Sequence, residues 1–156
     1  MSRRSITFTI NGEKKTFEIE PGEKLAKLLR RKGYVGVKEG CDEGTCGACT
    51  VIMDGHAVFS CILHAFLADG RDVRTIESIG DFDNPHPLQA ALVEEGAVQC
   101  GYCIPGMIMS AEALMQEMSN PTDDDIRTRM DGNLCRCTGY EKIWVAVKKV
   151  VAARAG

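Results

Sequence analysis

The sequence predicts an α+β protein whose first half is built mainly from strands and whose second half is built from helices. The first half alternates apolar and polar residues around Asn-Gly and Asp-Gly turns, whereas the second half places apolar residues three and four apart. Residues 77–87 carry two prolines, a glycine and no period, so we expect a domain boundary there. The predicted units are a strand-rich domain at 1–76, a linker at 77–87 and a helical domain at 88–156.

The first two strands are predicted to form a hairpin. Apolar and polar side chains alternate over residues 6–10, and Asn11-Gly12 is a strong signal for a two-residue turn. The alternation resumes at residues 16–19. Leucines at helical spacing in residues 25–29 then predict a short helix that ends near the next glycine.

Three more strands follow the first helix. Residues 50–53 and 57–60 are apolar runs on either side of Asp-Gly-His, which predicts a second hairpin. Residues 73–76 are predicted to form the last strand. The first domain is therefore predicted to be a mixed sheet crossed by one helix.

The second half is predicted to be a small bundle of four helices. Its apolar residues recur with the period of an α-helix, and we interpret its methionines and Trp144 as core side chains. The four groups are Leu88, Ala91 and Leu92; Ile108, Ala111, Met115 and Met118; Ile126 and Met130; and Ile143, Val147, Val150 and Val151.

Four cysteines in the first half have the spacing of a plant-type [2Fe–2S] ligand run. Three of them follow the pattern Cys-x4-Cys-x2-Cys, and a fourth comes after eleven more residues. Three glycines within residues 40–47 allow the backbone to approach a cluster closely, so that amide N–H groups can point at sulfur. The predicted ligands are Cys41, Cys46, Cys49 and Cys61.

A second set of four cysteines lies in the helical half. Cys-x2-Cys at 100–103 is followed by a distant Cys-x-Cys at 135–137. Pro105 stands where a helix would begin, so Cys103 is expected close to a helix N-terminus, whose positive end favours a negatively charged cluster. The predicted ligands are Cys100, Cys103, Cys135 and Cys137.

Disulfide bonds and structural zinc are the two alternative roles for the eight cysteines. Disulfides are typical of small secreted chains, whereas we expect no signal peptide here, and 44% hydrophobic residues are enough to build a core. Zinc is the more serious alternative, although structural zinc sites usually pair two short knuckles rather than crowding three cysteines into one loop.

Charge and hydropathy exclude two classes of partner. A net charge of −3 provides no basic surface for nucleic acid, and no apolar run approaches the length of a membrane span. The two arginines near the start are not followed by the apolar region of an export signal. We therefore expect a cytoplasmic protein.

Three long motifs resemble one known family. They read Cys-Asp-Glu-Gly-x-Cys-Gly-Ala-Cys at 41–49, Gln-Cys-Gly-Tyr-Cys-x-Pro-Gly at 99–106 and Gly-Asn-Leu-Cys-Arg-Cys-Thr-Gly-Tyr at 132–140. In this order they resemble the small [2Fe–2S] iron–sulfur subunit of the xanthine dehydrogenase family of molybdenum hydroxylases. The resemblance covers nearly the whole chain and includes all eight cysteines. It implies the β-grasp fold of plant-type ferredoxins for the first domain.

The resemblance also implies a division of labour among subunits. A large subunit binds the molybdopterin cofactor and oxidises the substrate, and a medium subunit binds FAD and usually passes electrons onward. This chain would carry electrons between them through two [2Fe–2S] clusters and would contain no catalytic residue or substrate site. The cluster of the helical half would lie nearest the molybdenum, where Gln99 and Cys137 would contact the pterin, and the plant-type cluster would lie nearer the flavin.

Two other function classes are weighed against this one. The first alternative is a stand-alone two-cluster ferredoxin-like carrier. A soluble carrier needs only the first half, so the second cluster and the added surface of the helical half disfavour it. A zinc-stabilised structural module would contain no sulfide. The substrate, the final acceptor and the stoichiometry of the complex are not encoded in this chain.

Overall fold

The computed structural model describes residues 4–155, and within that range it contains a five-stranded sheet and five α-helices. Two short 3-10 turns, Ala65–Ala68 and Ile76–Ser78, complete the first half. None of these helices is long and apolar enough to cross a membrane. The elements in chain order are β1 Arg4–Ile10, β2 Glu13–Ile19, α1 Leu25–Arg31, β3 Thr50–Met53, β4 His56–Phe59, β5 Asp72–Arg74, α2 Pro87–Glu94, α3 Ile104–Glu117, α4 Asp123–Met130 and α5 Glu141–Ala155.

The predicted N-terminal hairpin is confirmed. β1 and β2 pair antiparallel, with Ile10 opposite Glu13 across the turn. Asn11 and Gly12 have φ angles of 52° and 83°. Two successive positive φ values match the right-handed twist of the strands, which explains why Asn-Gly stands there.

The sheet has the order β2-β1-β5-β3-β4, with β1 and β5 parallel and the other pairs antiparallel. The apolar faces of these strands and of α1 form one buried cluster, as predicted for a mixed sheet crossed by a helix. The last strand ends earlier than predicted. The N–H of Thr75 donates to the side chain of Asn11 rather than to a strand, and a 3-10 turn follows.

The four predicted helices of the second half are also confirmed. α2 packs on α5, and α4 contacts both α3 and α5. Met107, Met109, Met115 and Met130 are buried in their shared core, as expected for gap-filling side chains. Trp144 stacks on Tyr140 at the edge of this core.

Helix α3 joins the two halves. It contacts β3 and β4, and Ile52 of β3 belongs to the apolar core of the helical half. At Gly106 the helix touches the loop before β3, because a Cβ there would lie 2.3 Å from the carbonyl oxygen of Gly47. The backbone of the helix therefore meets the backbone of the first cysteine loop with no room for a side chain.

We predict that Gly106→Ala destabilises the protein. Helix propensity alone would stabilise it by about 1 kcal/mol, but the added methyl group must displace a backbone carbonyl, and overpacking costs about 1–3 kcal/mol. The measurement is the urea midpoint of the iron-loaded variant against that of wild type. A midpoint at or above wild type would contradict the close approach of α3 to Gly47.

Candidate iron–sulfur centres

The first four cysteines come together at the rim of the sheet. Three lie in the loop between α1 and β3, and Cys61 follows β4. Cys49 and Cys61 are buried, whereas Cys41 and Cys46 are partly exposed. Gly44 and Gly47, at φ angles of 81° and 68°, give the loop the turns that bring its sulfurs inward.

Backbone amides point at these sulfurs. The N–H of Thr45 donates to Sγ of Cys41 at 3.3 Å, and the N–H of Cys61 donates to Sγ of Cys49 at 3.4 Å. Hydrogen bonds of this kind stabilise negative charge on sulfur and tune the metal that it binds. The loop thus offers the amide environment expected around a thiolate cluster.

The second four cysteines converge at one end of the helical half. Cys100 and Cys103 precede α3, and Cys135 and Cys137 lie between α4 and α5. Cys103 directly precedes the first residue of α3, as predicted from the position of the proline. The N–H and hydroxyl of Thr138 both donate to Sγ of Cys135, at 3.4 and 3.1 Å.

Within each set the thiols interact with one another. In the first set Cys41 interacts with Cys46, and Cys61 interacts with both Cys49 and Cys41. In the second set the Sγ atoms of Cys137 and Cys100 are 3.6 Å apart, and Cys103 interacts with both Cys135 and Cys100. Each set is therefore a group of four neighbouring thiols.

Four neighbouring thiols suit a [2Fe–2S] cluster, which has four cysteine ligands shared by two irons. The amide and hydroxyl donors to Cys41, Cys49 and Cys135 stabilise the negative charge that sulfur carries in such a cluster.

The second set of cysteines also lines a cavity. All four of its cysteines line one cavity of about 160 Å³. Cys46 of the first set borders the same cavity, together with Gly40 and Ala48. The two sites are therefore neighbours, and Cys46 lies between them.

In each set the pKa of one thiol is lowered. Burial raises the pKa of Cys41, but hydrogen bonds from Thr45 and from the backbone of Glu43 outweigh burial and lower the pKa to about 6. Burial likewise raises the pKa of Cys135, and the hydrogen bonds from Thr138 reverse the shift.

The pKa values of Cys61 and Cys103 shift in the opposite direction. Burial, reinforced by the neighbouring Cys49, raises the pKa of Cys61 to about 12. Burial and the adjacent Cys135 raise the pKa of Cys103 to about 12. Because metals bind thiolates, loading must release protons from these buried thiols.

The structure places Gln99 on the surface beside Cys100, and Cys137, which contacts Cys100, is also exposed.

Sequence reasoning missed three residues that link the two sites. The hydroxyl of Tyr102 donates to the carbonyl of Glu39 at 2.6 Å, and the N–H of Leu134 donates to the carbonyl of Cys46 at 2.8 Å. The third is Asn133, which is 2% exposed. Their only sequence signal is that they lie within the cysteine motifs.

Comparison with known proteins agrees with the two-site geometry. Residues 8–74 match the family model described as a 2Fe-2S iron-sulfur cluster binding domain, and residues 75–148 match a [2Fe-2S] binding domain. The nicotinate dehydrogenase small FeS subunit of Eubacterium barkeri is 47% identical over 152 residues, which cover 97% of each chain. The xanthine dehydrogenase iron-sulfur-binding subunit of Escherichia coli O157:H7 is 43% identical over 141 residues, 89% of each chain.

The fold has a solved counterpart of the same extent. A chain of quinoline 2-oxidoreductase from Pseudomonas putida 86 superposes with a TM-score of 0.92 at 39% identity, covering 98% of this chain and 95% of that one. Sequence and structure thus agree over nearly the full length. The chain belongs to the family of small [2Fe–2S] iron–sulfur subunits of xanthine dehydrogenase-like molybdenum hydroxylases.

Proposed function

We propose that this electron-transfer subunit uses its two cysteine sets as separate [2Fe–2S] sites that connect a molybdopterin centre on a large subunit with a flavin on a medium subunit. The observation that carries the proposal is that each set gathers four neighbouring thiols, with N–H and hydroxyl groups donating to their sulfurs. The first site would be held by Cys41, Cys46, Cys49 and Cys61, and the second by Cys100, Cys103, Cys135 and Cys137.

The contribution of this chain is to hold and tune the two sites. When bound, a [2Fe–2S] cluster supplies a centre that accepts and gives up one electron. Amide and hydroxyl donors to Cys41, Cys49 and Cys135 stabilise negative charge on sulfur, which favours the reduced form of the site. The N-terminal end of α3 beside Cys103 acts in the same direction.

The exposure of the two sites supports an order for electron flow. Cys100 and Cys137 are exposed, so a cofactor on a partner could approach the second site directly. Gln99 lies beside them with its side chain exposed and is proposed to hydrogen-bond the pterin. Electrons would then enter at the second site, pass to the first and leave for the flavin or another acceptor.

Several finer points stay predictions. They are the β-grasp character of the first half, the division at residues 77–87, and the cytoplasmic location. Limited proteolysis of the loaded chain tests the division, because a linker at 77–87 would be cut while the packed residues on either side of it stay intact. The substrate is a property of the large subunit, since the relatives reported above are named for nicotinate, xanthine and quinoline.

The runner-up is a stand-alone carrier with two clusters. It predicts a monomer that exchanges electrons with soluble partners. Affinity purification of the tagged chain from its native cells separates the two proposals. Recovery with a molybdenum-containing large subunit supports the hydroxylase subunit, whereas a fully loaded monomer supports the carrier.

We predict about four iron atoms and four acid-labile sulfides per chain after anaerobic purification, because two four-thiolate [2Fe–2S] sites require them. Elemental analysis with a sulfide assay provides the measurement. Stoichiometric zinc with negligible sulfide would rule out both iron–sulfur proposals and favour a structural zinc module.

We further predict that the two sites can be removed separately. Cys61→Ser should abolish one of two reduced-state EPR signals, and Cys103→Ser should abolish the other, because each residue belongs to only one set. The two variants serve as controls for each other. Loss of both signals from either variant, with the fold intact by circular dichroism, would contradict two independent ligand sets.

We also predict that Gln99→Ala leaves iron content unchanged but weakens the link to the molybdenum centre. A pterin polar group that loses its partner in a buried interface costs about 1–3 kcal/mol. The readouts are the molybdenum content of the assembled complex and the rate at which substrate reduces the clusters. Gln116→Ala, at an exposed glutamine near the far end of α3, is the control. Wild-type values for Gln99→Ala would mean that this residue is only a surface residue.

A further inference from the structure

The two cysteine loops are joined through one buried side chain. Asn133 lies two residues before Cys135, and its side-chain amide reaches the loop that carries Cys46 and Cys49. Its Nδ2 donates to the carbonyl of Gly47 at 2.9 Å and to the hydroxyl of Thr50 at 3.1 Å. A side chain from the loop of Cys135 therefore donates two hydrogen bonds to residues on either side of Cys49.

Both ends of the side-chain amide of Asn133 are hydrogen-bonded. Its Oδ1 accepts from the hydroxyl of Ser110 on α3 at 2.6 Å, while both hydrogens of Nδ2 have an acceptor. Thr50 and Ser110 are 3% and 2% exposed, so the network is shielded from water. A satisfied buried network holds its members in one geometry, and a lost member leaves the others unpaired.

The backbone around Asn133 leaves little room for displacement. A Cβ on Gly47 would lie 2.4 Å from the carbonyl oxygen of Gly132 and 2.6 Å from Nδ2 of Asn133. The adjacent N–H of Leu134 donates to the carbonyl of Cys46 at 2.8 Å. The network therefore sits beside a direct hydrogen bond between the backbones that carry Cys46 and Cys135.

We propose that Asn133 is a positioning residue that holds the Cys46 loop against the Cys135 loop and so sets the electronic coupling between the two cysteine sites. The inference rests on the proposed function, because it concerns exchange between two [2Fe–2S] sites. Asn133 touches neither set of sulfurs in this role. It acts by keeping the Leu134 hydrogen bond to Cys46 at its observed length.

The test compares Asn133→Ala with Ser110→Ala in the full chain loaded with iron and sulfide. Both variants disturb the same network, but Ser110→Ala leaves the bonds from Nδ2 to Gly47 and Thr50 in place. One electron is injected by flash photoreduction, and its equilibration between the sites is followed by freeze-quench EPR.

We expect Asn133→Ala to slow equilibration severalfold, because loss of the two bonds from Nδ2 lets the loops move apart, and electron transfer slows steeply as the distance between the sites grows. Ser110→Ala should stay close to wild type. An unchanged rate in Asn133→Ala, or equal slowing in Ser110→Ala, would overturn the proposal. If Asn133→Ala does not load both sites, Thr50→Val, which removes an acceptor of Nδ2, is judged by the same rates.

The proposed function fails in a different way. Wild-type protein without sulfide, or with a single EPR signal, would remove the two-site function before any variant is made. A wild-type chain with both signals and an Asn133→Ala variant with an unchanged equilibration rate would leave that function intact and remove only the role of Asn133.

Discussion

The contact between the two cysteine loops is the constraint on which the rest of the architecture depends. Gly47 and Gly106 lack side chains because a carbonyl oxygen occupies the space that a Cβ would need. Helix α3 can therefore lie against β3 and β4, and this packing brings its N-terminal end, beside Cys103, close to the first loop. The shared cavity at Cys46 follows from the same approach.

Much of this arrangement could be predicted from the sequence because its signals are local. Asn11-Gly12 encodes a turn by its own backbone preferences, and cysteine spacing within a loop reflects the reach of a few residues. The early end of β5 could not be predicted. It depends on Asn11, which is 64 residues from Thr75 in the chain and meets its N–H only in the folded sheet.

The contacts between thiols and the contacts of Asn133 could not be predicted from the sequence, for the same physical reason. Nothing local in the Cys-x-Cys motif indicates that Cys137 contacts Cys100 or that Cys135 interacts with Cys103. Asn133 and Gly47 are 86 residues apart in the chain. Their contact depends on the packing of a helix from one half on a sheet from the other, which a periodicity argument does not contain.

The spacing between Cys103 and Ser110 along α3 limits where this chain can gain or lose residues. Cys103 directly precedes the helix, and Ser110, two turns later, contacts Asn133. A single residue inserted between them would rotate Ser110 by about 100° and advance it by about 1.5 Å, away from its partner. Insertions and deletions should therefore be tolerated in outer segments such as the exposed residues around Phe82, and rejected in the first two turns of α3.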